Sequence, residues 1–268
     1  MKWKYHTKKR YRRRRAALWI LAMIGGIIVF FHKLNSGEWI VLVQNATDGR
    51  VTSVPDLFSE WIAPVQTTTD KHMPISVPLL SQERMDMPTG CELVSAFMLL
   101  EYYKCPMDFE EWVTECVPIQ EFWHENGQLC NLSPAEAFIG LPWQNNGYGC
   151  YAPVICKAMQ QALPSCTVVD VTGQPLEQLC ADYINKGTPV LVWATMDMMK
   201  SGQGTVWQTP NGPFEWISNE HCLVLVGFDS SYYFFNDPAA GCLVKWEKAL
   251  VEQRYDELGM QAVIVSAE

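Results

Sequence analysis

Cys91 has the sequence context of a catalytic nucleophile. It follows Pro88-Thr89-Gly90 and opens the strongest apolar helical pattern in the chain. Free N–H groups and the dipole at a helix N-terminus stabilise a thiolate, so we expect a reactive thiol there. Glu92 is interpreted as a first-turn acid that suits the helix dipole and nothing more.

A thiolate of this kind needs a base, and His221 is the best of five histidines. It begins an apolar run, His221 to Phe228, that predicts a buried strand. The remaining histidines fall in the predicted tail, membrane border, linker and a polar loop: His6, His32, His72 and His124.

Asp237 is the predicted orienting acid. If the runs His221 to Phe228 and Tyr232 to Asp237 form a hairpin centred near Asp229, His221 and Asp237 face each other across the strands. An acid there would fix the imidazole tautomer. A shift of one residue would put Asn236 opposite instead, and an amide can also orient a histidine, so Asn236 is an alternative.

Gln82 lies nine residues before Cys91 in a loop that must pass close to it. Its amide could stabilise an oxyanion together with the Cys91 backbone N–H. Cys150 is the rival nucleophile, because Gly149-Cys150 also precedes an amphipathic helix, but Leu141 stands where that arrangement would need a glutamine.

The elements that position these residues are helices first and strands later. Helices are predicted over 91–103, 108–115, 133–138 and 152–163, and strands over 189–195, 221–228, 232–236 and 260–265. This order predicts an α+β fold and not an alternating α/β sheet. Trp207 and Trp216 precede His221 in a Gly- and Pro-rich loop, where they either line a cleft or pack locally.

The N-terminal residues differ sharply in charge from the rest. Residues 1–15 hold nine Lys or Arg and no acid, whereas the remainder holds eleven bases against 29 acids. Ala16 to Phe31 is uncharged and apolar, which predicts a membrane anchor that is not cleaved; a cleaved signal, giving a secreted protein, is the alternative. An acidic body excludes nucleic acid as an expected partner.

These patterns predict four segments. They are a basic cytoplasmic tail (1–15), a single-pass transmembrane helix in the cell membrane (16–34), a stalk or linker (35–74) with a short helix near residues 56–61, and a folded domain (75–268) outside the cell.

All ten cysteines fall between Cys91 and Cys242, which fits an exported domain in which disulfides persist. Buried reduced thiols are the other interpretation, and Cys222 is predicted to be core because strand alternation turns it away from His221.

Four dispersed segments resemble the cysteine peptidase family thirty-nine, which includes peptidases that process bacteriocins after a double glycine. They are Val77-Pro78-Leu79-Leu80-Ser81-Gln82, Pro88-Thr89-Gly90-Cys91-Glu92, the run Asn219 to Asp229, and Asn236-Asp237-Pro238. The resemblance covers about Ile75 to Glu268. It implies a papain-like fold, a helical lobe followed by an antiparallel β lobe, with Gln82 in the oxyanion hole, Cys91 as nucleophile, His221 as base and Asp237 as orienting acid.

The resulting hypothesis is a bacterial, membrane-anchored cysteine peptidase that needs no cofactor and takes a peptide or protein substrate. Two alternatives stay open: an amidase or transpeptidase of the same fold acting on cell-wall peptides, and a peptide-binding module without turnover. The sequence leaves the substrate and the oligomeric state undetermined.

Overall fold

The computed structural model describes residues 74–267 and, before them, the backbone of four strands at residues 19–24, 27–33, 39–45 and 51–53. The chain divides into two compact units, Met1–Thr68 and Thr69–Glu268. The predicted basic tail, the predicted short helix near residues 56–61 and most of the predicted linker lie outside the described residues.

The first unit contains an antiparallel sheet with strand order β1-β2-β3-β4. Its strands are β1 (Trp19–Ile24), β2 (Ile27–Lys33), β3 (Trp39–Asn45) and β4 (Val51–Ser53). Within the segment 16–34 that was predicted as a transmembrane helix, the described residues form the strands β1 and β2. Within the described parts of the chain no helix is long and apolar enough to cross a membrane. The physical reason lies in composition: Ile, Val, Phe and Trp favour strands, and the Gly25-Gly26 dipeptide between β1 and β2 is typical of a hairpin turn.

The second unit holds the predicted site residues. Its helices are α1 (Cys91–Tyr102), α2 (Phe109–Cys116), α3 (Ala152–Ala162), α4 (Leu176–Asp182) and α5 (Lys248–Glu257). Its strands are β5 (Ile119–Gln120), β6 (Trp123–Glu125), β7 (Gln128–Cys130), β8 (Phe138–Ile139), β9 (Cys166–Asp170), β10 (Val190–Thr195), β11 (Gly202–Thr209), β12 (Gly212–Ser218), β13 (Glu220–Phe228), β14 (Tyr232–Asp237), β15 (Cys242–Glu247) and β16 (Ala262–Ala267).

A six-stranded antiparallel sheet, in the order β15-β14-β13-β10-β16-β9, is the centre of this unit. Every residue of β10 is buried, because helices cover both faces. Alternate side chains enter different clusters: Leu191 and Trp193 pack with α1, α2 and α3, while Val190 and Val192 pack with α4 and α5. The fold is α+β as predicted, but α4 and α5 lie among the strands in sequence, so helices and strands are less segregated than expected.

A second sheet, β12-β11-β7-β6, carries an aromatic cluster. Trp207 is 1% exposed and its ring packs against Phe122, Tyr148 and Phe214, while Trp216 is 6% exposed and stacks on Tyr151. These tryptophans were predicted either to line a cleft or to pack locally, and the structure supports local packing.

The predicted helix over residues 133–138 is a single turn. Ser133 Oγ accepts the Ala135 N–H and Glu136 Oε2 accepts the Ser133 N–H, which is a helix-start arrangement. It does not extend because Phe138 and Ile139 pair as β8 with β5. Local capping signals were present, but strand pairing ends the turn.

Candidate active site

His221 and Asp237 form a buried pair at the ends of two neighbouring strands. His221 Nε2 lies 2.9 Å from Asp237 Oδ1, and the two residues are 0% and 4% exposed. The backbone N–H groups of Ala239 and Ala240 also donate to Asp237 Oδ1, at 2.8 and 3.2 Å. His221 Nδ1 is buried and has no hydrogen-bond partner. Asp237 therefore fixes the ring through one nitrogen and leaves the other available.

The strand register differs from the predicted one. Val224 pairs with Asn236, whereas the predicted hairpin would have set Cys222 opposite Asn236. The register changes by one residue at an irregularity between Leu225 and Gly227, and beyond it the pairing at Asn236 lies two residues from the predicted one. An even shift keeps side chains on the same face, so His221 and Asp237 meet as diagonal neighbours.

Asn236, the alternative orienting residue, has a different contact. Its Nδ2 donates to the carbonyl oxygens of Val77 at 3.1 Å and Pro78 at 3.5 Å. It thereby ties the extended segment that leads to Gln82 against β14. Asp237 is the residue that touches the histidine.

Gln82 lies beside the same strand end. Its backbone N–H donates to Pro238 O at 2.9 Å, and its Nε2 donates to Pro88 O at 3.0 Å. Gln82 is 8% exposed, and its Oε1 has no partner. A cavity of about 460 Å³ opens here, lined by Gln82, Glu83, Asp86, Pro88, Trp143 and Ala239. Gln82 therefore borders a space that could admit a substrate, with an acidic rim.

Cys91 is the first residue of α1, which is docked on β13. Ser95 Oγ donates to Cys222 O at 3.0 Å across this contact. Cys91 Sγ donates to Glu92 Oε2 at 3.2 Å. Since His221 Nδ1 is unpartnered, Cys91 and His221 are not hydrogen-bonded in this structure. The structure places all four predicted residues in one unit and joins His221 to Asp237, but it leaves the thiol on a different partner.

The electrostatics around Cys91 oppose a thiolate. Burial raises the pKa of the Cys91 thiol well above its ordinary value, and the carboxyl groups of Glu92 and Glu220 raise it further. Only the backbone N–H of Cys222 acts in the other direction. The helix N-terminus was expected to stabilise a thiolate, but in this conformation burial and the two acids raise the pKa of the thiol instead.

Glu92 was interpreted as a first-turn acid with no further role, and the structure shows it fully buried. Its Oε1 accepts the Cys150 N–H at 2.7 Å while its Oε2 accepts the Cys91 thiol. Burial raises the pKa of Glu92 to about 7. Gly149 makes the close approach of Cys150 possible, since a Cβ there would lie 2.0 Å from Glu92 Oε1.

Glu220 is a site residue that the sequence analysis missed. It is 9% exposed, its Oε1 has no hydrogen-bond partner, and burial raises its pKa well above the ordinary value. The sequence signal was an acid at the start of the apolar run Glu220 to Phe228, two residues before Cys222 and hence on the same face. Three possible metal-ligand atoms lie within 4.8 Å of one another here: the Cys91 sulfur and one carboxylate oxygen each of Glu92 and Glu220.

The other nine cysteines range from buried to exposed. All ten are free thiols, so the structure has no disulfide among them. Cys150, the rival nucleophile, is 0% exposed, and Cys222 is core as predicted.

Comparison with known proteins gives one family and two relatives. The family model described as "Peptidase_C39 like family" matches residues 74–263. An uncharacterized protein, YvpB of Bacillus subtilis (strain 168), is 26% identical over 253 residues, covering 92% of this chain and 97% of its own. The crystal structure of a protein from Bacillus anthracis, classed provisionally as a C39-like peptidase, superposes with a TM-score of 0.64 at 28% identity, over 72% of this chain and 96% of that one. This chain belongs to the Peptidase_C39 like family.

Proposed function

We propose that the protein is a cysteine-type hydrolase of peptide bonds. The observation that carries the proposal is the buried His221–Asp237 pair, in which Nε2 is held and Nδ1 is free to take a proton. Membership of a peptidase-like family and the position of Cys91 at the start of α1 support it. The outer face of a membrane as the place of action is proposed from the charge pattern of the sequence alone.

In the proposed reaction, Cys91 Sγ leaves Glu92 and turns to His221 Nδ1, which accepts the thiol proton. The sulfur attacks the carbonyl carbon and forms a C–S bond while the carbonyl electrons move to oxygen. The Gln82 amide and the Cys91 backbone N–H stabilise that oxyanion. His221 then protonates the leaving amine as the C–N bond breaks, and water, activated by the same histidine, releases the acyl group from sulfur.

The second candidate is a peptide-binding domain without turnover. The hydrogen bond from Cys91 to Glu92, together with the raised pKa of the thiol, favours this candidate. The two functions differ in whether the Cys91 thiol can pass its proton to His221 when a substrate is present.

Labelling of the full chain with iodoacetamide, with mass spectrometry to locate the modified cysteine, tests the proposal. We expect Cys91 to react faster when a peptide substrate analogue is present, and His221→Ala to remove that acceleration. His124→Ala, a histidine exposed on β6, is the matched control and should leave the rate unchanged. Peptide hydrolysis should disappear in Cys91→Ala.

Two outcomes contradict the proposal. One is labelling of Cys91 that no peptide accelerates, together with the absence of hydrolysis, which would favour the binding domain. The other is hydrolysis that survives Cys91→Ala and is lost in Cys150→Ala, which would move the nucleophile.

A further inference from the structure

The two acids beside Cys91, Glu92 and Glu220, are both buried. Neither Glu92 nor Glu220 belongs to an ion pair in the described part of the second unit, where the ion pairs are His221–Asp237 and Arg254–Glu257. Two buried carboxyl groups with no positive partner are costly unless they are protonated or bind a cation.

We propose that Cys91, Glu92 and Glu220 bind a divalent zinc ion. The Glu220 side chain is the independent observation: it is more than nine-tenths buried, its Oε1 has no partner, and its carboxylate faces the other two ligand groups.

The spacing suits a small ion. Zn–S and Zn–O bonds of about 2.3 and 2.0 Å in tetrahedral geometry put the ligand atoms about 3.5 Å apart. Cys91 Sγ and Glu92 Oε2 are already 3.2 Å apart, and all three ligand atoms lie within 4.8 Å of one another. A small movement of the Glu220 carboxylate would complete the set, with a fourth position left for water.

The donor set selects the metal. One thiolate and two carboxylates match the borderline-soft character of Zn²⁺, whereas Mg²⁺ and Ca²⁺ prefer oxygen ligands alone. On binding, the ion replaces the thiol proton and any carboxyl proton, which pass to solvent, and no oxidation or reduction takes place.

The consequence rests on the proposed function. A zinc ion on Cys91 Sγ would hold the sulfur on the side of Glu92 and Glu220 and keep it from His221. Zinc would then be a reversible inhibitor of the hydrolase, bound through the nucleophile and released by a chelator.

Titration of the metal-free full chain with Zn²⁺ by calorimetry, and with Co²⁺ by absorption, tests the site. We expect one ion per chain, proton release that depends on the buffer, and a sulfur-to-cobalt charge-transfer band. Glu220→Gln should lower the affinity by at least about tenfold, and Cys91→Ser should remove the band. The matched controls are Glu215→Gln, an exposed acid on β12, and Cys242→Ser, an exposed thiol, neither of which should change binding.

The absence of saturable binding, or a band that persists in Cys91→Ser, would overturn the site. Glu92→Gln is the second variant if Glu220→Gln does not fold, and unchanged affinity in the folded variant counts equally against the proposal. Metal binding without peptide hydrolysis would leave this site standing and contradict the proposed function. Hydrolysis that zinc does not inhibit would support the proposed function and contradict zinc binding through Cys91.

Discussion

Burial, and after it the acids Glu92 and Glu220, raise the pKa of the Cys91 thiol against the effect of the helix N-terminus. A helix dipole stabilises a charge at its end by about 0.3–1 kcal/mol. A fully ionised carboxylate about 4 Å from a thiolate would oppose it by about 4 kcal/mol at the effective dielectric constant of about 20 that suits protein sites. Because burial also raises the pKa values of Glu92 and Glu220, burial of the sulfur is the first cause and the acids add to it. The acids face Cys91 in a site that is almost without solvent, so the thiol keeps its proton in this conformation. Activation therefore requires the sulfur to move away from them.

Asp237 has the opposite situation. Burial by itself would raise the pKa of Asp237, but the hydrogen bond and charge of His221, with the N–H groups of Ala239 and Ala240, outweigh burial and lower it below its ordinary value. A carboxyl group whose pKa is lower in the folded state stabilises the fold above its unfolded pKa. That stabilisation is lost as the pH falls through the folded value.

Asp237→Asn should therefore lower the free energy of unfolding at neutral pH by about 1.5–3 kcal/mol, the range for a hydrogen bond to a charged group. The difference from the unmodified protein should shrink as the pH falls below about 4, because the unfolded state then binds a proton at Asp237 more readily than the folded state does. Urea unfolding across this pH range measures it. Asp256→Asn, an exposed acid on α5, is the control. A difference that is constant down to pH 2 would mean that the Asp237 charge does not stabilise the fold.

At the scale of elements, the turn before α3 determines where the acids lie. Gly149 has φ of +154°, and its missing side chain leaves room for Glu92 Oε1 and Glu220 Oε2. The Cys150 N–H can then donate to Glu92, which ties the start of α3 to the start of α1. The contact between these two helices thus runs through a buried carboxylate.

Gly149→Ala should be more destabilising than an ordinary glycine replacement. Its Cβ would lie 2.0 Å from Glu92 Oε1, so the carboxylate must move and give up the Cys150 N–H. Gly173→Ala is the matched control, because Gly173 also has positive φ, +94°, but no atom lies within 4 Å of the added Cβ. We expect the control to cost about 1–2 kcal/mol from backbone strain and Gly149→Ala to cost at least about 2 kcal/mol more. Equal losses in thermal unfolding would show that the Glu92 contact adds nothing.

The sequence predicted those elements whose residue pattern and burial agree. β10, β13, β14 and β16 are apolar runs buried by helices on both faces, and all four were expected. α5 was missed because it is highly charged and buries only Val251, Arg254 and Tyr255. β15 was missed because it is an edge strand with no buried residue. For these two elements tertiary pairing decides the structure, and a local pattern does not record it.

The site was predictable to the same extent. The pairing of His221 with Asp237 followed from hairpin geometry, since a two-residue error in register preserves the face. The Glu92 contact could not be predicted, because it depends on α3 approaching α1 across 58 positions of sequence. The position of Glu92 next to Cys91 in the sequence gives no information about its contact with Cys150.

At the scale of the whole molecule, the family match and the two large hydrophobic clusters fall in the second unit. Both large hydrophobic clusters are built from residues between Ile75 and Val265, and the family match spans 74–263. Membrane attachment and an outward-facing domain depend on the N-terminal charge pattern, so they stay predictions from sequence. The candidate site residues that the structure describes all lie in the second unit.

We therefore expect residues 69–268 to fold without the first unit. Every described contact that holds His221, Asp237, Gln82 and Cys91 comes from residues after Pro74, so removal of residues 1–68 deletes none of these contacts. The shortened chain should unfold cooperatively, within a few degrees of the full chain's second-unit transition, and label at Cys91 at the same rate. Calorimetry and iodoacetamide labelling of both proteins measure this. Trp193→Ala in the shortened chain is the control that shows how a disrupted core behaves. Trp193 is suitable because it is fully buried and its Nε1 donates to Cys150 O. A shortened chain that behaves like that variant would show that the second unit depends on the first for its stability.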